Sequence, residues 1–99
     1  MVTRMTTPTK RVLRFLLSVD RAYGLEIIEE LAIGAGTLYP MLTRLETVGW
    51  VDSRWEDIDP SATGRPARRY YALTSTGRVE ASARLDAGTI APDTGLAEA

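Results

Sequence analysis

Cysteine and histidine are both missing from the 99 residues. Without cysteine there is no disulfide framework and no thiolate for a metal. Without histidine the chain lacks the commonest general base and the commonest metal ligand. No apolar run approaches the roughly 20 residues needed to cross a bilayer. The N-terminus, MVTRMTTPTKR, has no oily signal-peptide core. A chain this short makes one domain with little material for a deep pocket. These absences point away from an enzyme, a metal site, a cofactor and a membrane, and toward a cytoplasmic protein.

A large excess of one charge is missing too: 12 basic residues stand against 13 acidic ones, for a net charge of −1. The distribution is less even than the sum. Lys10, Arg11, Arg14 and Arg21 lie early, and Arg54, Arg65, Arg68, Arg69 and Arg78 lie later. The end carries Glu80, Asp86, Asp93 and Glu98 against Arg84. The basic residues are thus able to share one face.

What is present is a series of helix and turn signals. Residues 1–7 read as a flexible N-terminal arm. Thr7 is placed to cap a first helix, and Pro8 suits its first turn, where a missing N–H costs nothing. Val12, Leu13, Leu16, Leu17 and Val19 recur at helical spacing up to Val19. A second helix is expected in YGLEIIEELA, with Leu25, Ile28 and Leu31 on one face. IGAG then supplies two glycines for a tight turn.

The third helix is GTLYPMLTRLETVGW. Starting near Gly36 or Thr37, and advancing about 100° per residue, it gathers Leu38, Leu42 and Leu45 into an inward stripe. Tyr39, Pro40, Thr43 and Thr47 fall on the opposite side, with Arg44 at the flank. With Thr37 as cap, Pro40 is the third helical residue and removes no intrahelical hydrogen bond. Gly49 stands where a left-handed residue ends a helix.

WVDSRW and RRYYAL read as two strands of an antiparallel hairpin around a polar loop, EDIDPSATGRPA. Trp50 is expected to pack, and one of Tyr70 and Tyr71 to face inward. Asp57 and Asp59 read as a solvated acidic turn without further ligands. TGRP is too short and glycine-poor for a phosphate loop. Thr74 is placed to cap a fourth helix, in which Gly77 is a mild weakness. The folded domain is then 8–86, and 87–99 a disordered tail.

Two helices joined by a short turn, followed by a hairpin, make a winged helix-turn-helix: mainly α with a small two-stranded antiparallel wing. In that arrangement the third helix enters the major groove of double-stranded DNA, N-terminal end first. It would present Gly36, Thr37, Tyr39, Pro40, Thr43 and Arg44. Gly36 permits close approach of the backbone, the hydroxyls of Thr37 and Tyr39 suit phosphates or base edges, Pro40 stiffens the front of the helix, and Arg44 suits a phosphate or a guanine edge. In the wing, Arg65 sits at a flexible tip, and Arg68 and Arg69 alternate across a strand, so that one of them faces DNA.

The segments YGLEIIEEL, GAGTLYPMLTRLETVGWVDSRW and GRPARRYYALTSTGR, in this order from Tyr23 to Arg78, closely resemble the PadR family of bacterial winged-helix transcription regulators. The resemblance implies a DNA-binding repressor that occupies a promoter operator, with Thr37, Tyr39 and Pro40 on the recognition helix and Arg65 on the wing. It implies a homodimer, and it admits a small-molecule effector, although no residue pattern here specifies one. There are two departures. The link between the second and third helices is shorter than in many members. The segment after the fourth helix is too short and polar for a long C-terminal dimerisation domain, which leaves the first and fourth helices as the dimer contact. A winged helix used as a protein-interaction module stays open beside the DNA reading, because the net charge is negative.

Overall fold

A computed structural model describes residues 5–90, in the order α1 (Thr7–Leu17), β1 (Ala22–Tyr23), α2 (Gly24–Leu31), α3 (Ala35–Thr47), β2 (Val51–Trp55), α4 (Pro60–Thr63), β3 (Arg69–Leu73) and α5 (Ser75–Ile90). Thr6 caps α1 rather than Thr7, its hydroxyl accepting the Thr9 N–H at 3.3 Å. The Thr6 and Thr9 hydroxyls also pair at 2.8 Å, which fixes the cap one residue early. Val12, Leu13 and Leu16 are buried as the periodicity requires. The helix stops two residues short of Val19, where the Ser18 hydroxyl donates to the Phe15 carbonyl.

In α2 the buried side chain is Ile27, while Leu25 is exposed. The inward stripe holds Gly24 and Ile27, with Ile28 and Leu31 half-buried against the core, so that Leu25 alone departs from the expected Leu25–Ile28–Leu31 face. A glycine carries no hydropathy signal, so its place on the stripe leaves no mark in the sequence. The turn to α3 uses neither glycine of IGAG for a left-handed step. Ala32 takes that conformation, at φ 54° and ψ 44°, while Gly34 caps α3 in an extended conformation.

Helix α3 therefore starts before Gly36, with the Thr37 and Leu38 N–H groups donating to the Gly34 carbonyl. Pro40 lies inside the helix, not at its third position. Its missing N–H removes the i+4 donor that the Gly36 carbonyl would have in a regular helix. Leu38, Leu42 and Leu45 are buried as expected, and Met41 joins them. Gly49, at φ 84°, ends the helix with paired bonds: its N–H donates to the Glu46 carbonyl, and the Trp50 N–H to that of Leu45.

The hairpin β2–β3 forms in the register Val51↔Leu73 to Trp55↔Arg69. A third short strand joins it, giving the order β1-β3-β2. At two residues, β1 is too short for alternation to reveal. Val51, Tyr71 and Leu73 face the core, and Trp50 is buried beside them. The wing loop contains α4, capped by the Asp59 carboxylate accepting the Ser61 N–H at 3.0 Å.

Thr74 caps α5, accepting the Gly77 N–H at 2.9 Å. Gly77 is a requirement of close packing more than a weakness, because a Cβ there would collide with the backbone of Trp50. The helix continues to Ile90, four residues past the expected boundary at 86. The remainder of the expected tail, 91–99, and residues 1–4 of the arm lie outside the described residues.

Candidate nucleic-acid interface

The inward leucines turn the other face of α3 to solvent. Gly36, Thr37, Tyr39, Pro40, Thr43 and Arg44 are all exposed there. The Thr43 hydroxyl donates to the Tyr39 carbonyl at 3.0 Å and the Thr47 hydroxyl to that of Thr43 at 2.9 Å, which leaves the hydroxyl lone pairs outward. Among the described residues Arg44 makes no ion pair. Tyr39 is 41% exposed, with its ring laid across Gly24 at the start of α2. A Cβ on residue 24 would occupy the space of that ring, so Gly24 sets how Tyr39 lies.

This front end is polar in a particular way. The Ala35 and Gly36 N–H groups lie in the first turn of α3, at the positive end of the helix dipole, where an anion is favoured. The exposed face of α3 thus offers hydroxyls and, in Arg44, a cation that makes no ion pair among the described residues.

The wing arginines are placed differently. Arg65 is not at a free tip. Its Nη1 donates to Glu56 Oε1 at 2.7 Å and its Nη2 to Oε2 at 3.0 Å, with side chains only 32% and 16% exposed. The arginine fork holds the Glu56 carboxyl down at about 2, far below its ordinary 4.5. The same carboxylate raises Arg65 further. Arg68 stands just before β3 on the wall of the groove that Tyr39 also lines, its guanidinium 4.3 Å from the centre of the Tyr23 ring. Tyr23 in turn meets Tyr70 edge-on at 5.5 Å, and Arg21 covers Tyr70 at 4.0 Å.

Arg69 lies on the face toward α3. Its Nε and Nη2 donate to Ser53 Oγ at 3.0 and 2.8 Å, and Ser53 Oγ donates to Glu46 Oε2 at 2.6 Å. This relay ties both wing strands to the last turn of α3. Between α2, α3 and the wing runs an open groove of about 610 Å³, lined in part by Leu25, Tyr39, Trp55, Arg69 and Tyr71. Burial pushes the Tyr71 phenol above its ordinary value.

The structure therefore brings the α3 residues together on one surface and lines the groove beside Tyr39 with Arg65, Arg68 and Arg69, of which Arg65 is already paired with Glu56. Gly24, Glu46, Ser53 and Glu56 position this surface and were not identified from the sequence. Glu46 stands in the RLE segment, but only its hydrogen bond to Ser53 gives it a role. Among the described residues no helix is long and apolar enough to cross a membrane, and no group of three or more metal-ligating side chains occurs.

A profile of the transcriptional regulator PadR-like family matches residues 12–83. A PadR-like transcription factor from Bacteroides fragilis is similar at 30% identity and TM-score 0.69, over 83% of this chain and 79% of that one. AbfR of Staphylococcus epidermidis, in a structure bound to DNA, is similar at 27% identity and TM-score 0.70. The match covers 86% of this chain and 59% of AbfR, so the chain spans less than two thirds of that protein. A transcriptional regulator homologue from Pyrococcus horikoshii shares the fold, at TM-score 0.71 and 24% identity over 84% of this chain and 78% of that one. No curated protein matches the sequence.

Proposed function

This chain belongs to the PadR-like family of transcriptional regulators, and from that premise we propose that it reads a specific double-stranded DNA operator with the exposed face of α3 and represses transcription by occupying it. The family is one of DNA-binding transcription regulators and not of enzymes. The observation that carries the proposal is the contrast within α3: buried leucines on one side, and on the other Thr37, Tyr39, Pro40, Thr43 and Arg44, turned outward.

The roles follow from chemistry. Gly36 lets the helix front approach the duplex, and the first-turn N–H groups and the Thr37 and Tyr39 hydroxyls take phosphates or base edges. Pro40 offers an apolar surface to a thymine methyl, and Thr43 lies in reach of a base edge. Arg44 reads a guanine edge or holds a phosphate. Arg69, tied to Ser53, and Arg68, stacked on Tyr23, line the groove beside α3 and meet the flanking backbone. Two copies joined through α1 and α5 would place two α3 helices on half-sites about one duplex turn apart. Val79, on α5, is 68% exposed and supports that contact. The complex blocks a promoter sterically, in the cytoplasm, without metal or cofactor.

The negative net charge and the internally paired Arg65 favour a second reading, a winged helix that binds protein and has little DNA affinity of its own. Salt separates the two. A reader that neutralises several phosphates loses affinity linearly in log[salt], with a slope of roughly −0.9 per phosphate. Binding measured from low to physiological salt tests this: a steep slope supports the DNA reading, and a flat one supports the protein-binding module.

A further inference from the structure

Glu56 and Arg65 flank the wing loop, one on each side. Arg65 spends both Nη1 hydrogens inside the protein, one on Glu56 Oε1 and one on the Pro66 carbonyl at 3.2 Å, and Nη2 holds Glu56 Oε2. Glu56 Oε1 also accepts the backbone N–H of Arg68 at 3.2 Å. The Glu56 N–H donates to the Arg68 carbonyl at 2.7 Å. The hairpin ladder is thereby extended one pair past Trp55↔Arg69, and the arginine fork clamps that last pair.

We infer that Glu56 and Arg65 form a strut that closes the base of the wing, so that Arg65 is a positioning residue for the DNA interface and not a phosphate ligand. The inference rests on the DNA-binding reading above and reassigns the wing arginine within it. A bidentate arginine–carboxylate pair fixes orientation as well as distance. Here it fixes the backbone of Arg68, whose guanidinium is stacked on Tyr23, and that of Arg69, whose guanidinium is tied to Ser53. Without the strut, both arginines lose their fixed register beside α3. The rival arrangement has the same atoms with the opposite logic: Glu56 masks Arg65 until a phosphate displaces it.

The test compares Glu56→Gln, Arg65→Gln, the double variant and Arg65→Lys in the full chain. Binding to a duplex selected from genomic fragments is measured across a salt series. A strut makes each single variant about 10-fold weaker, with the double variant no worse than either. It leaves the salt slope at the wild-type value. Arg65→Lys keeps the charge but loses the fork, so it behaves as Arg65→Gln. The inference is overturned if Glu56→Gln binds more tightly, or if Arg65→Gln flattens the slope by about one while Arg65→Lys binds as wild type.

Amide hydrogen exchange of the DNA-free proteins gives a second readout. The strut predicts faster exchange at Arg68 and in residues 57–64 for every variant, with the α3 amides protected as in wild type. Unchanged exchange in the wing overturns it. If wild type binds no duplex at all, the DNA reading fails, while exchange still decides the strut.

Discussion

Helix α3 and the wing carry their polar groups in opposite ways. On α3, Arg44 makes no ion pair among the described residues, and the hydroxyls keep their lone pairs outward. In the wing, Arg65 is clamped by Glu56, Arg69 is held by Ser53, and Arg68 is stacked on Tyr23. A free cation is available to a ligand at little reorganisation, whereas a paired one gives up its partner first. Under the proposed DNA reading, the contrast favours recognition by α3 and support by the wing.

The most damaging way to probe the contrast is from inside. Leu42→Ala removes a fully buried side chain from the inner stripe of α3 and lowers stability by about 2–5 kcal/mol. Chemical denaturation measures this, and a loss below 1 kcal/mol would mean that the helix faces are reversed. Next in size is Arg44→Ala, expected to weaken operator binding by about 1–3 kcal/mol and to relax base preference at one position. Its thermal midpoint should equal that of wild type, because the guanidinium supports nothing in the fold.

The wing responds to pH instead. The folded Glu56 carboxyl sits at about 2 against an ordinary 4.5, so its pairing stabilises the fold fully above pH 4.5 and is lost as pH falls toward 2. The stability difference between wild type and Glu56→Gln should be constant from pH 5 to 8 and shrink below about pH 4.5. A difference that changes near neutrality would point to another group. The smallest effect sits at the turn feeding α3. Ala32→Gly relieves the left-handed alanine, raising stability by at most about 1 kcal/mol with operator affinity unchanged.

These expectations also mark what a sequence discloses. The leucine stripe of α3, the Gly49 terminus and the Thr74 cap are local patterns, and each stands where the residues place it. The start of α3 differs from the sequence expectation because threonine is a common cap, whereas here Gly34 takes that place and leaves Pro40 inside the helix. Gly24 and Gly77 were illegible as packing sites because their role is the absence of a side chain beside Tyr39 and Trp50. The strut and the Arg69–Ser53–Glu46 relay join residues 9, 16 and 7 apart that belong to different segments of the fold, so no single element's period marks them. Charge composition reveals how many arginines exist but not which are already held.

The assignment of recognition to α3 meets its most direct test in a selection. Purified protein is mixed with genomic duplex fragments and excess random competitor, and the retained fragments are sequenced for wild type and for Tyr39→Ala. The expected result is a recurring site held by wild type and lost by a Tyr39→Ala protein that keeps its helix content and cooperative melting. Contradiction would be the absence of any enriched site, or a Tyr39→Ala variant that melts early while its folded fraction retains the same site with undiminished affinity.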